Sequence, residues 1–139
     1  HDPSYLPKFL EELERADVVV GSRYVKGGGS ATGWGLWRRA FSSLGNFGIR
    51  TVAGLKVKDA TSGFKAFRGD ALRSLDMAEF RCKGFGFQAE MAHACQRKGY
   101  RVVEYPIVFE QRAAGQSKMS LFIVVEAMWR LLPLRWTRR

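Results

Sequence analysis

"ADVVVGSRY", residues 16 to 24, decides how this chain is read. Three consecutive valines ending in Gly-Ser are what a strand buried on both faces presents, because neither face carries a polar side chain. Just before it, "DPSYLPKFLEELER" opens with Asp2 as an N-cap and Pro3 in the first turn. Leu6, Phe9, Leu10 and Leu13 then recur at helical spacing, so a helix over residues 3–15 is expected. A helix feeding a doubly buried strand points to an α/β layer with a parallel sheet. Ligands of open α/β sheets collect beyond the carboxyl ends of strands, where Arg23 falls.

Downstream of the valines, the glycine-rich residues 25–35 read as a loop. "GLWRRAFSSLGNFGIRTVAG", residues 35–54, is helical: Trp37, Phe41, Leu44 and Gly48 share one face. A second stripe carries Arg39, Ser43, Asn46 and Arg50, so Arg39 and Ser43 project together one turn apart. A solvated polar face explains that stripe as readily as a binding site does. "DATSGFKAFRGDALRSL", residues 59–75, reads as loop, short strand and a helix capped by Asp70. "FGFQAEMAHACQRKG", residues 85–99, is a helix packing Phe87, Met91 and Cys95 and stopped by Gly99. "YRVVEYPIVFEQR", residues 100–112, alternates Val103, Tyr105, Ile107 and Phe109 on one face, with Pro106 fitting an edge strand.

The chain has 139 residues, enough for one modest core, and 46% hydrophobic content excludes disorder. Twenty-three basic against 13 acidic residues leave a net charge of +10, which suits a polyanion, a phosphorylated ligand or an anionic membrane surface. Cys82 and Cys95 form no CxxC pair and read as free thiols, and two scattered histidines make no metal cluster. The tail, residues 120–139, is apolar on most of its circumference but has no run near the ~20 residues of a membrane span. Its tryptophans and arginines suit an interfacial helix, and a helix capping the core is equally compatible.

The candidate anion-binding residues are Arg23 after a strand, Arg39 beside Ser43, and Arg112 with Lys118 in the loop "EQRAAGQSKMS", residues 110–120. Guanidinium forks match phosphate oxygens and a hydroxyl adds a further hydrogen bond. The candidate acids are Asp59 in "DATSGF" and Glu90 in "FGFQAE", though Asp59 could simply close a turn and Glu90 could favour the first turn of its helix. There is no Ser-His-Asp set, P-loop, GxGxxG or zinc spacing.

Taken in order, "ADVVVGSRY", "WRRAFSSLGN", "DATSGFKAFR", "GFGFQAEM" and "YPIVFEQRAAGQSKMS" resemble the carboxyl-terminal half of the dolichyl-phosphate (polyprenyl-phosphate) mannose synthases, family 2 glycosyltransferases. The resemblance implies a partial GT-A fold, α/β, with a mixed sheet flanked by helices and amphipathic interfacial helices at residues 33–50 and 118–132. It divides the chain into residues 1–117, part of a catalytic domain, and 118–139, a membrane-interface helix and basic tail. It implies inverting transfer of mannose from GDP-mannose to a dolichyl or polyprenyl phosphate at the cytoplasmic face of a membrane, with no nucleic acid involved. The acceptor phosphate would meet Arg23, Arg39 and Ser43, and a loop with Arg112, Ser117 and Lys118 would close over the donor. Asp59 and Glu90 would lie near the sugar as the catalytic acids. The family's metal-binding DxD is expected upstream of His1, so Mg²⁺ or Mn²⁺ would serve the longer enzyme, no metal ligand is expected in this chain, and the chain alone is expected to be inactive.

Three competitors remain. A UDP-sugar could replace GDP-mannose, since nothing in these residues reads the base or the sugar epimer. A basic nucleic-acid-binding module would use the net charge and the aromatics beside Arg38 and Arg39, but no recognised nucleic-acid motif is present. A membrane-surface scaffold without activity would leave the Arg39–Ser43 pairing as coincidence.

Overall fold

The computed structural model describes residues 1–30, 35–109 and 121–135. Its elements run α1 (Leu6–Leu13), β1 (Val18–Ser22), β2 (Gly29–Ser30), α2 (Leu36–Ala53), β3 (Lys65–Phe67), α3 (Gly69–Arg73), α4 (Phe85–Arg97), β4 (Val102–Pro106), β5 (Val108–Phe109) and α5 (Leu121–Leu131). The fold is α/β, and the sheet is mixed. β1 is central, antiparallel to β3 and parallel to β4, in the order β3-β1-β4.

Every residue of β1 is buried, as three valines in a row require. Val18 and Val20 pack with Met91, Cys95 and Leu75 toward α4, whereas Val19 faces Phe9 of α1 and Ile107. The sheet is thus sandwiched between α1 and α4. A third cluster, Ile49, Ala53, Leu55, Ala60, Ala89, Ala127 and Leu131, joins α2, α4 and α5. The tail helix therefore contributes to the core while leaving Val125 and Trp129 exposed. β4 is an edge strand, and Pro106 ends it opposite Ser22, where a missing N–H costs no central ladder bond.

Several local expectations need correction. The first helix is a 3-10 turn over Pro3–Tyr5, with Asp2 capping the Ser4 N–H at 2.8 Å, followed by α1 over Leu6–Leu13. Only Phe9 of that helix is fully buried, because Leu6 and Leu10 point to solvent. Asp70 is inside the first turn of α3 rather than its cap, which is Arg68. Part of the glycine-rich loop is a strand: Gly29 and Ser30 pair in parallel with Val108 and Phe109. That path brings the chain so close to β1 that a Cβ on Gly28 would lie 2.3 Å from the Ser22 carbonyl oxygen. α2 extends to Ala53 and stops at Gly54, whose φ of 65° is the left-handed cap that glycine adopts without steric cost.

Candidate functional site

Arg23 follows the carboxyl end of β1 and turns inward. Its Nε donates to Asp59 Oδ2 at 2.8 Å and its Nη2 to Asp59 Oδ1 at 2.9 Å, a two-pronged ion pair. Its backbone N–H also donates to Asp59 Oδ2 at 3.1 Å. Nη2 donates again to Thr61 Oγ1 at 2.9 Å, and that hydroxyl donates onward to Asp59 Oδ1 at 3.2 Å. Asp59 is fully buried and the Arg23 side chain is 12% exposed. Burial opposes the guanidinium charge, but the hydrogen bonds and charge of Asp59 outweigh it and raise its pKa further. The plane of Arg23 lies against the rings of Tyr24 and Phe109, 5.3 and 5.7 Å from their centroids. Nη1 makes no hydrogen bond among the described residues.

The turn that carries Asp59 is held from two sides. From β4, Glu104 accepts the N–H of Lys58 at 2.8 Å and that of Asp59 at 2.9 Å. From α2, Asn46 donates to the Lys58 carbonyl at 2.6 Å and accepts the Ala60 N–H at 2.9 Å. Ser62 Oγ donates to the Gly21 carbonyl at 2.6 Å, and the Tyr24 and Ser42 hydroxyls meet at 3.1 Å. These bonds couple the end of β1, the Asp59 turn and α2.

Lys65 sits opposite Val20 in the ladder and reaches toward α4, donating to the Gln88 carbonyl at 3.2 Å and to Gln88 Oε1 at 2.7 Å. Burial lowers its pKa to about 8, against the opposing pull of the Asp59 charge. Sequence reading gave Lys65, Asn46, Glu104 and Thr61 no site role. The available signals were slight: Asn46 shares the polar stripe of Arg39 and Ser43, and Glu104 lies on the Val102 face of its strand, alternating with Val103 and Tyr105.

The other expected site residues are placed as follows. Arg39 and Ser43 are both exposed on α2, and Arg39 Nη2 donates to the Ser30 carbonyl at 3.1 Å. Glu90 is in the second turn of α4, not the first, and is nearly buried. Its Oε2 accepts the N–H groups of Arg81 at 3.0 Å and Cys82 at 2.8 Å, so it braces the approach to the helix. No hydrogen bond or ion pair joins Glu90 to Asp59 among the described residues. Arg112, Ser117 and Lys118 lie outside the described residues. Cys82 and Cys95 are free and buried, and burial pushes both thiols up to about 11.

A divalent cation does not fit these residues. No group of three His, Cys, Asp or Glu side chains converges among the described residues, and Asp59, Glu90 and Glu104 already accept N–H groups of the protein. What the arrangement can do is present fixed cations to an anion. A carboxylate fully engaged by a guanidinium is poorly placed to act as a base, but it is well placed to hold that guanidinium still.

No family model matches the chain. Among curated proteins it is 43% identical over 92% of its length to the undecaprenyl-phosphate mannosyltransferase of Micrococcus luteus, covering 52% of that protein. It is 35% identical over 94% of its length to the polyprenol monophosphomannose synthase of Mycolicibacterium smegmatis, covering 49% of that protein. The chain thus spans about half the length of the curated relatives it matches. By sequence, then, nearly the whole chain is similar to about half of two proteins named as an undecaprenyl-phosphate mannosyltransferase and a polyprenol monophosphomannose synthase.

Proposed function

We propose that this chain supplies the acceptor side of an enzyme that transfers mannose from GDP-mannose to the phosphate of a polyprenyl lipid. The carrying observation is Arg23, fixed by Asp59 and Thr61 at the carboxyl end of the central strand, with Nη1 not engaged by the described residues. Arg39 and Ser43, exposed one turn apart on α2, complete the proposed phosphate site. A lipid phosphate monoester has a second pKa of about 6, so it is already a dianionic nucleophile near neutral pH. It needs placement and charge balance rather than a base. In this reading Asp59 and Glu90 act as holders: Asp59 fixes Arg23, and Glu90 fixes the backbone of residues 81–82. Arg112, Ser117 and Lys118 remain the proposed donor-closing loop. Mg²⁺ or Mn²⁺, if used, would be held by residues outside this chain, and no step is derived through it.

The proposed location is the cytoplasmic face of a membrane. Leu36, Trp37, Leu44 and Phe47 of α2 and Trp129 of α5 are exposed, with Arg38 and Arg130 beside them. Large exposed apolar side chains flanked by arginine suit the headgroup region. No helix among the described residues is long and apolar enough to cross a membrane.

The test is steady-state kinetics of the natural full-length protein with GDP-mannose and undecaprenyl phosphate. Arg39→Ala and Ser43→Ala are expected to raise KM for the lipid at least tenfold and to leave KM for GDP-mannose within twofold. Equal effects on both substrates, or faster turnover with UDP-glucose, would overturn the reading.

A further inference from the structure

We propose that Asn46 is a positioning residue that sets the register between α2 and the Asp59 turn, so that Arg39 and Ser43 face the same acceptor phosphate as Arg23. This rests on the acceptor-site reading above.

The Asp59 turn has few regular backbone partners of its own. The N–H groups of Lys58, Asp59 and Ala60 and the Lys58 carbonyl are all taken by side chains, those of Glu104 and Asn46. Its conformation is therefore dictated from outside. Glu104 ties it to the sheet, and Asn46 ties it to the helix. Only a primary amide offers a donor and an acceptor in the fixed order that a carbonyl at Lys58 and an N–H at Ala60 demand. Asn46 is 3% exposed, so neither bond is replaced by solvent if it is lost.

The same residue points along the proposed acceptor stripe. Ser43 and Arg39 precede Asn46 by three and seven positions, which puts the three side chains on one face of α2. At 1.5 Å per residue the helix offers a rise of roughly 10 Å from the anchored amide to Arg39. A rotation of α2 at Asn46 would change the position of Arg39 and Ser43 relative to the Asp59 turn that holds Arg23. Asn46 bridges the residues on either side of Asp59, which itself holds Arg23, so one amide links the helix-borne and sheet-borne halves of the site.

The experiment compares Asn46→Asp and Glu104→Gln with wild type in the full-length protein, again with undecaprenyl phosphate and GDP-mannose. Asn46→Asp keeps the shape and the acceptor but puts a carboxylate oxygen against the Lys58 carbonyl. It is expected to raise KM for the lipid phosphate at least tenfold with KM for GDP-mannose within twofold. As pH falls and the new carboxyl gains a donatable proton, that penalty relative to wild type at the same pH should shrink. Glu104→Gln places an amide donor against one of two N–H groups and should show the same selective loss, without the pH-dependent recovery. Losses spread equally over both substrates, no loss, or failure of both variants to reach the wild-type circular dichroism spectrum would overturn the proposal. If Arg39→Ala and Ser43→Ala raise the lipid KM and these variants do not, the Asn46 inference alone fails. If Arg39→Ala and Ser43→Ala also leave it unchanged, the acceptor-site reading fails first.

Discussion

Replacing Asp59 by Asn removes one charge at nearly constant volume and leaves the Arg23 guanidinium facing a neutral amide. In the folded protein the carboxylate is fully buried and the Arg23 side chain only 12% exposed, so water can recover little of the lost interaction. Breaking a buried pair by removing one partner costs about 3–5 kcal/mol, because an uncompensated charge remains. The small exposed edge of Arg23 lets it relax toward solvent, which places the expected loss near the lower figure, about 3 kcal/mol. The Glu126–Arg130 pair is an internal control: its side chains are 43% and 52% exposed, and Glu126→Gln should cost at most about 0.5 kcal/mol. Equilibrium urea unfolding measures both. The double variant Arg23→Met/Asp59→Asn removes the orphaned charge, so it should be less destabilised than the sum of the two single variants by at least about 2 kcal/mol. A loss for Asp59→Asn no larger than that for Glu126→Gln would refute the view that this pair is a rigid, desolvated unit.

The remaining predictions concern the surrounding frame. The Lys65 pKa, lowered to about 8 from 10.5 by burial, means that the unfolded chain binds more protons than the folded one between those values. Stability should therefore rise with pH from about 8 to 10.5 in wild type relative to Lys65→Met, by an amount on the order of 2 kcal/mol, read from denaturant midpoints across that range. Gly28→Ala should cost about 1–3 kcal/mol in thermal unfolding, since its Cβ would meet the Ser22 carbonyl at 2.3 Å. Gly29→Ala, where a Cβ meets nothing within 4 Å, should cost less. Trp37→Ser with Trp129→Ser, at positions 90% and 77% exposed, should cut co-flotation with vesicles of anionic phospholipid severalfold. Unchanged flotation would remove these helices from the proposed membrane face.

Sequence-local features were legible because their cause is local. Three valines cannot be satisfied except by burial on both faces, and β1 is central for that reason. The stripe spacing on α2 likewise followed from 3.6-residue periodicity, and the structure puts Arg39 and Ser43 in solvent and Asn46 in the interior. What could not be read is long-range. Arg23 and Asp59 are 36 residues apart, and Asp59 and Glu104 are 45 apart, and no periodicity records which polar group meets which. Asp59 reads equally as a candidate acid and as a turn-closing residue; its carboxylate accepts from Thr61 within the turn and also from Arg23 across the fold, and only the first of these contacts is local. Gly29 and Ser30 look like loop because two-residue strands carry no pattern of their own and exist only where β5 lies alongside. The start of α4 at Phe85 is legible, and Glu90, six residues in, belongs to its second turn; that its carboxylate turns back to the N–H groups of residues 81–82 is a contact with the preceding loop that helical spacing does not record.

The most direct measurement is ³¹P NMR of a short-chain polyprenyl phosphate titrated with the full-length protein. A displaced phosphorus resonance is expected with wild type and with Arg97→Ala, an exposed arginine in the last turn of α4. It should vanish with Arg39→Ala. A resonance that moves equally with all three proteins would contradict the assignment of the acceptor phosphate to this end of the sheet.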